Sequence, residues 1–199
     1  MLIKKKKRSV ETVETFCGWD YLLDMTDRCD NLRDKALISA LFETGGRVSE
    51  VLKLEKRHFM IQEPYLVVRA MPVLKRYRKI GEYHDEEGKK RWITEELKGY
   101  RTFPIPLKEK LTPYLLEWMD YVKTDRLFHI SRVHAWRIVT KINPDVFPHW
   151  FRAQRASQLA LEYGFDMHDL LDFFAWKSMP MALHYARMGW KGLAQKMKL

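Results

Sequence analysis

The chain has 199 residues, of which 46% are hydrophobic and 31% are charged, a composition typical of a folded globular protein and not of a disordered one. Lysine and arginine total 36 against 26 aspartates and glutamates, and the net charge of +10 favours a polyanionic partner such as nucleic acid, although charge alone does not exclude a basic protein that binds none. The two cysteines form no CxxC pair, which is typical of a reducing compartment. No apolar run approaches the about 18 residues of a membrane span, and no apolar segment follows the N-terminal charges. We therefore predict a cytoplasmic protein.

The first nine residues are predicted to be a basic arm separate from the folded domain, which we expect to span residues 10–199. Such an arm can lie on DNA phosphates, and a nuclear address is the alternative interpretation of the same charges. The residues concerned are Lys4, Lys5, Lys6, Lys7 and Arg8.

Helical periodicity follows the arm. Residues 10–25 carry apolar side chains at helical spacing, and Asp30 is predicted to cap a second helix. One face of that helix is formed by Leu32, Ala36, Leu37, Ala40 and Leu41. Two glycines, Gly45 and Gly46, are expected to end it because glycine adopts the left-handed conformation at little cost, and a short helix is expected from residue 47.

The period then changes to that of strands. YLVVRAM (65–71) is rich in β-branched and aromatic residues, VLKRYRKI (73–80) is predicted to pair with it, and RTFPIPL (101–107) is predicted to be an edge strand because of its prolines. The polar segment 81–100 is expected to form a long hairpin tip or a mobile insertion. Helical patterning resumes at residue 108, with breaks at Pro144, Gly164 and Pro180, so we predict a mainly α fold with one small antiparallel sheet, an α+β class.

Three segments carry polar residues that their surroundings do not explain. In TGGRVSE, Arg47 follows two glycines at a helix start, where backbone N–H groups suit an anion, and Glu50 is one turn away and can orient the guanidinium. In HWFR, His149 and Arg152 share a helix face, so the guanidinium of Arg152 can hold two phosphate oxygens while the imidazole of His149 transfers a proton. Taken alone, the first pair fits a surface ion pair, and the second fits a histidine that caps the helix after Pro148.

The third segment pairs two aromatic residues near the C-terminus. Trp176 precedes Tyr185 by nine residues, with Pro180 between them. A tyrosine nucleophile needs nearby positive charge because the unperturbed phenol pKa is about 10. The pair considered alone is better explained as aromatic packing in the core, since the chain has 9 tyrosines and 7 tryptophans.

The ordered set of motifs resembles the tyrosine recombinase or integrase family. TGGRVSE, a strand pair with a lysine, HWFR, and a tryptophan followed by a tyrosine occur in the order of that family's signature, over roughly residues 10–187. The resemblance implies the tyrosine recombinase catalytic-domain fold. It also implies double-stranded DNA as partner, self-association on paired DNA sites, and neither a metal, an organic cofactor nor ATP.

The resemblance assigns a role to each matched residue. Tyr185 is implied to attack the scissile phosphate and form a 3′-phosphotyrosine, with Arg47 and Arg152 on the non-bridging oxygens. His149 is implied to accept a proton or bond the phosphate, and Trp176 stands where the family uses His or Trp. Glu50 is implied to orient an arginine without itself reacting.

The general acid for the departing 5′-oxygen is implied to be a hairpin lysine. We assign it to Lys75 because it follows the first predicted strand pair, and the competing lysines are Lys79, Lys89, Lys90 and Lys98. Further contacts to DNA are predicted for Arg76, Arg78, Lys79 and Arg155.

The position of Arg47 departs from the family pattern. Members normally carry an N-terminal helical domain of roughly one hundred residues, a typical small-domain size. That core-binding domain is expected to be absent here, so the chain is expected to be a fragment or a short natural form, with a basic tail at residues 188–199 that either docks on a neighbouring protomer or is solvated.

The sequence therefore predicts a site-specific DNA recombinase, an integrase of a mobile element or virus in a prokaryotic, archaeal or viral host cell. Relaxation of DNA in the manner of type IB topoisomerases is an alternative with the same chemistry. A non-catalytic DNA-binding module is an alternative of a different class.

Overall fold

The computed structural model describes residues 16–74, 77–96, 99–177 and 179. These residues form seven α-helices, α1 (Trp19–Asp27), α2 (Leu32–Thr44), α3 (Val48–Val51), α4 (Thr112–Tyr121), α5 (Arg132–Ile142), α6 (Pro148–Glu162) and α7 (Met167–Phe174). They also form five strands, β1 (Phe59–Gln62), β2 (Tyr65–Pro72), β3 (Tyr77–His84), β4 (Lys90–Glu96) and β5 (Tyr100–Pro106). The predicted mainly α fold with antiparallel sheet is confirmed. None of the helices in the described ranges is long and apolar enough to cross a membrane.

Helix α2 is the centre of the core. Residues 36–42 are buried, and the helix packs against α1, α3, α4, α5 and α6. Its first turn is capped by Asn31, whose side-chain oxygen accepts the Asp34 backbone N–H at 3.0 Å, so the predicted cap at Asp30 is wrong by one residue. Its last turn ends at Gly45, which adopts the left-handed conformation with φ of 53°, as the sequence predicted. The chain therefore leaves α2 in a fixed direction.

A three-stranded antiparallel sheet in the order β1-β2-β5 covers one side of the core. Leu66 and Val68 of β2 face Ile105 and Phe103 of β5 across the ladder, and all four are buried. The edge position predicted for the proline-containing strand is confirmed. The sequence did not predict β1, a four-residue strand whose second half is exposed.

The segment predicted to pair with β2 pairs elsewhere. Strands β3 and β4 form a separate two-stranded sheet, with Tyr77 opposite Glu96 and His84 opposite Lys90. Of the two alternatives predicted for residues 81–100, the long hairpin tip agrees with this pairing. Three of its cations form ion pairs within the hairpin, at 2.7 Å from Lys89 to Glu87, 2.6 Å from Lys90 to Glu82 and 2.8 Å from Arg91 to Asp85.

Helix α6 carries a buried arginine that does not face solvent. Arg155 is 0% exposed, and its guanidinium pairs with Glu109 at 2.9 Å and Glu43 at 3.2 Å and donates to Gln158. Burial raises the pKa of Glu43 to about 8; Arg155 opposes this rise, and the neighbouring Glu109 carboxylate adds to it. The predicted contact of Arg155 with DNA is therefore wrong: the side chain is enclosed and neutralised inside the protein.

Several predicted segments lie outside the described residues. They are the arm at residues 1–9, the start of the first helix at 10–15, the break at Pro180 and the tail at 188–199. The predicted breaks at Pro144 and Gly164 fall between α5 and α6 and between α6 and α7.

We predict that Gly45→Ala destabilises the protein more than Gly164→Ala. Both glycines have positive φ, but a Cβ at Gly45 would lie 2.3 Å from Cε1 of Phe174, whereas one at Gly164 meets nothing within 4 Å. The left-handed backbone costs about 1–2 kcal/mol for alanine at either site, and the clash at Gly45 adds about 1–3 kcal/mol. Urea titrations of the two variants measure the difference, and equal losses of unfolding free energy would contradict it.

Candidate active site

Arg47 is held at the start of α3 by Glu50. The Glu50 carboxylate accepts the Arg47 backbone N–H at 2.8 Å and its Nη1 at 2.8 Å. Glu50 is 1% exposed, whereas the Arg47 side chain is 26% exposed. The buried carboxylate therefore fixes one edge of the guanidinium, and the part that remains accessible can contact a ligand.

The same carboxylate also fixes the chain that leads to the predicted general acid. The backbone N–H of Leu74 donates to Glu50 Oε1 at 3.1 Å, and the Leu74 carbonyl accepts from Arg47 Nη1 at 3.4 Å. Lys75 is the next residue and lies outside the described residues, so its side chain is not placed. In the sequence it directly follows Leu74, whose backbone bonds both members of the Arg47–Glu50 pair.

Arg152 reaches from α6 to the ends of two other helices. Its guanidinium donates to the carbonyl of Gly45 at 2.6 Å and to that of Phe174 at 3.3 Å, and the side chain is 1% exposed. The carbonyls at a helix C-terminus lack intrahelical partners and carry the negative end of the helix dipole, so they suit a buried cation. Arg152 is thereby bonded to a residue that precedes Arg47 by only two positions.

Trp176 is positioned by the way α7 ends. Ala175 adopts the left-handed conformation with φ of 50°, its N–H donates to the Asp172 carbonyl at 3.2 Å, and the Trp176 N–H donates to the Leu171 carbonyl at 2.9 Å. These are the two bonds of a Schellman motif. The turn folds the indole back onto Phe174, with ring centroids 4.5 Å apart and an interplanar angle of 17°. The Arg152 guanidinium lies 5.4 Å from the centroid of the same indole.

His149 lies at the start of α6, one turn before Arg152, and is exposed. It lines a surface groove of about 1040 Å³ together with Val48, the residue after Arg47. Residues of α5 and its cap form the other wall, including the half-exposed side chains of Val133 and Trp136. Of the predicted set, Arg47, Arg152 and Trp176 thus lie around the ends of α2 and α7, and His149 lies in the groove beside Val48.

Sequence analysis missed one cationic residue of this cluster. Arg101 on β5 is 4% exposed and donates to the carbonyls of Thr44 and Phe173, each at 2.7 Å. Burial, with added repulsion from Arg152, lowers the pKa of Arg101 to about 9, which leaves the guanidinium charged at neutral pH. The alternation of RTFPIPL could have revealed it, because Arg101 is in phase with the apolar core residues of that strand.

The four charged residues Arg47, Arg101, Arg152 and Glu50 carry three positive charges and one negative charge. Buried charge is costly unless it is compensated, so an excess of two positive charges at a partly accessible site favours an anionic ligand. A phosphate group has the charge and the acceptor oxygens that guanidiniums bind.

The other predicted site residues are not all placed. Lys79 is exposed, with its Nζ 3.8 Å from the centroid of Trp92. Arg78 belongs to β3, but its side chain lies outside the described part of the structure. Outside the described residues lie Lys4, Lys5, Lys6, Lys7, Arg8, Lys75, Arg76, Lys98 and Tyr185.

The family model described as the phage integrase family matches residues 19–189. The chain belongs to the phage integrase family. None of the curated proteins matches its sequence.

Solved structures share the fold of this phage integrase family member at low sequence identity. The XerH site-specific recombinase bound to palindromic difH substrate is 16% identical with a TM-score of 0.62, and the XerA recombinase is 18% identical with a TM-score of 0.61. The alignments cover 90% and 94% of this chain but 50% and 65% of those two. The catalytic domain of bacteriophage HP1 integrase, 17% identical with a TM-score of 0.54, is covered over 94% of its length. The predicted tyrosine recombinase catalytic-domain fold is confirmed.

We predict that inorganic phosphate stabilises the protein through Arg47. Above the dissociation constant, each tenfold rise in phosphate should add about 1.4 kcal/mol to the free energy of unfolding of the wild type. Urea titrations at constant ionic strength and pH 7 measure this, with Arg47→Ala expected to lose the dependence. Arg57→Ala, which removes an exposed arginine paired with Glu55, is the matched control and should retain it. The same phosphate dependence in Arg47→Ala as in the wild type would argue against the site.

Proposed function

We propose that this chain is the catalytic domain of a site-specific DNA recombinase or integrase that cleaves and rejoins strands through a 3′-phosphotyrosine. The observation that carries the proposal is the meeting of Arg47 and Arg152 at the end of α2, one held by a buried carboxylate and the other by two helix-end carbonyls. Two oriented guanidiniums suit the two non-bridging oxygens of one phosphodiester.

In the proposed reaction the phenol oxygen of Tyr185 attacks the phosphorus while the bond from phosphorus to the 5′-oxygen breaks. Negative charge that develops on the non-bridging oxygens is stabilised by Arg47 and Arg152. The phosphotyrosine conserves the energy of the broken bond, so a 5′-hydroxyl can reverse the step and rejoin a strand without ATP. The proposed chemistry also uses no metal.

Two protons move in this step. The phenol proton passes to His149, whose exposed ring lies in the groove beside Val48. The departing 5′-oxygen receives a proton from Lys75, which follows Leu74 in the sequence, and the Leu74 backbone bonds both Arg47 and Glu50. Trp176 packs beside the phosphate and limits access of water. Its indole N–H can donate a hydrogen bond, but it takes no part in proton transfer because an indole does not shuttle protons.

The partner is proposed to be double-stranded DNA, with the chain self-associating on paired sites. The +10 charge and the DNA bound in the XerH structure support this, as does the groove that leads from His149 to Trp136. The basic arm, Arg76, Arg78 and Lys79 are proposed to contact phosphates. The cytoplasm of a prokaryotic, archaeal or viral host cell is the proposed location.

Covalent trapping tests the proposal and identifies the target site in one experiment. A library of randomised duplexes carries a nick a few nucleotides downstream of each possible scissile phosphate, so the short 5′-hydroxyl fragment diffuses away and the adduct accumulates. The wild type should form an adduct that resists denaturation and maps to Tyr185, and Tyr185→Phe should form none. Sequencing of the trapped DNA then gives the target.

We predict that Arg47→Ala and Arg152→Ala lower the rate of adduct formation by about 10²–10³-fold, the effect of removing one oxyanion donor. Most DNA binding should remain, and Arg57→Ala serves as the control of equal charge loss. Wild-type rates in either site variant would remove that arginine from the site. Binding without any adduct from the wild type would favour the non-catalytic module, and plasmid relaxation without paired sites would favour a topoisomerase-like enzyme.

We predict that Lys75→Ala slows cleavage of ordinary DNA but spares DNA with a 5′-bridging sulfur. A thiolate leaving group needs no proton, so the loss of a general acid has no effect on it. Lys89→Ala and Lys90→Ala, which remove exposed hairpin lysines, are the matched controls and should show neither effect. If one of them shows the sulfur rescue instead, the general acid is assigned to the wrong lysine.

A further inference from the structure

Arg101 occupies an inward position on a half-buried strand. Along β5 the buried residues alternate, and Arg101 lies in phase with Phe103 and Ile105. Its guanidinium carbon lies 4.5 Å from the centroid of Phe103, and one nitrogen lies 3.4 Å from the sulfur of Met71. A cation at such a position loses its hydration, so the fold retains it only where other groups compensate for the loss.

The compensation comes from the ends of two helices. Arg101 Nη2 donates to the carbonyl of Thr44, the last residue of α2, and Nη1 donates to the carbonyl of Phe173, the penultimate residue of α7. Both bonds are 2.7 Å long. Because these carbonyls belong to the negative ends of two helix dipoles, one planar guanidinium neutralises both and joins the helices.

Arg152 makes the same bridge one residue further along each helix. It bonds the carbonyls of Gly45 and Phe174, which directly follow the two that Arg101 bonds. Two successive carbonyls at each helix end are therefore bridged by two guanidiniums. Arg101 is the member of this pair that comes from the sheet, and β5 packs against α7.

Each bridged helix end leads directly into the site. Thr44 precedes Arg47 by three residues, and Phe173 precedes Trp176 by three residues. The separation of these two segments decides whether Arg47, Arg152 and Trp176 can act on one phosphate. Arg101 bonds both segments, although its own side chain is too deeply buried to serve as a main contact to a ligand.

We propose that Arg101 is a positioning residue of the active site, which holds the ends of α2 and α7 in the register that a phosphodiester requires. This inference rests on the proposed function for the identity of the ligand. The positioning role itself depends on the four hydrogen bonds by which Arg101 and Arg152 bridge the ends of α2 and α7. A lysine at the position retains the charge but lacks the planar fork that spans two carbonyls, so Arg101→Lys separates geometry from charge.

Nuclear magnetic resonance of the indole N–H groups reads out the position directly. The protein has seven tryptophans, and the Trp176 signal is assigned by its loss in Trp176→Phe. In Arg101→Lys this signal should shift or broaden while the signals of Trp19 and Trp118 remain. Arg155→Lys is the matched control, because Arg155 is equally buried but bonds Glu43 and Glu109, and it should leave the Trp176 signal unchanged.

Kinetics form the second readout, on the DNA recovered from the adduct library. At a temperature where all variants are folded, Arg101→Lys should form the adduct about 10²-fold more slowly, the effect expected of a small misplacement of reacting groups. DNA affinity should change little, so the loss should appear in the rate at saturating DNA. Arg155→Lys should react at the wild-type rate.

Each outcome decides between the alternatives. An unchanged Trp176 signal with an unchanged rate would overturn the inference, and so would equal effects of Arg101→Lys and Arg155→Lys, which would indicate a general contribution to stability. If the wild type forms no adduct, the proposed function fails, but the Trp176 signal still tests the positioning role. If Arg101→Lys does not fold, inorganic phosphate added to the labelled wild type should shift the signals of Trp176 and Arg101 Nε together, and a response of neither would contradict the inference.

Discussion

The contact between two guanidiniums and the carbonyl ends of α2 and α7 is the interaction on which the rest of the site depends. The two helices are far apart in the chain, and α2 packs in the centre of the core while α7 packs on the sheet. Left-handed residues at both ends, Gly45 and Ala175, turn the chain away and leave carbonyls that no intrahelical N–H can reach. Arg101 and Arg152 bond those carbonyls, and the chain continues from the two bridged ends to Arg47 and to Trp176.

This arrangement links folding to ligand binding through electrostatics. Helix-end carbonyls supply only partial negative charge, and the carboxylate bonded within the cluster, Glu50, is shared between Arg47 and the backbone of Leu74. The contrast with Arg155 is informative, since two carboxylates surround that buried arginine and leave no positive charge for a ligand. In the site, by contrast, a carboxylate bonds Arg47, and helix-end carbonyls bond Arg101 and Arg152.

How much the sequence revealed depended on whether the interaction was local. The left-handed end at Gly45 and the contact of Glu50 with Arg47 involve residues within one turn, and short-range rules predict them. Strand pairing was wrong because β2 finds its partner about 35 residues away in β5, beyond a hairpin that pairs only with itself. Arg152 and Arg155 share a face of α6 and look alike in HWFRAQR. Only their partners from other parts of the chain distinguish them, which are helix-end carbonyls for Arg152 and carboxylates for Arg155.

Net charge therefore gives little information about where this protein is able to hold an anion. In the hairpin, the exposed cations Lys89, Lys90 and Arg91 are each paired with a neighbouring acidic residue. Such surface ion pairs add little to stability. The positive charge with the clearest chemical consequence lies largely inside the fold, where the effective dielectric constant is lower and each charge acts more strongly. A few buried arginines held by helix ends thus define an anion site more sharply than the larger number of basic residues on the surface.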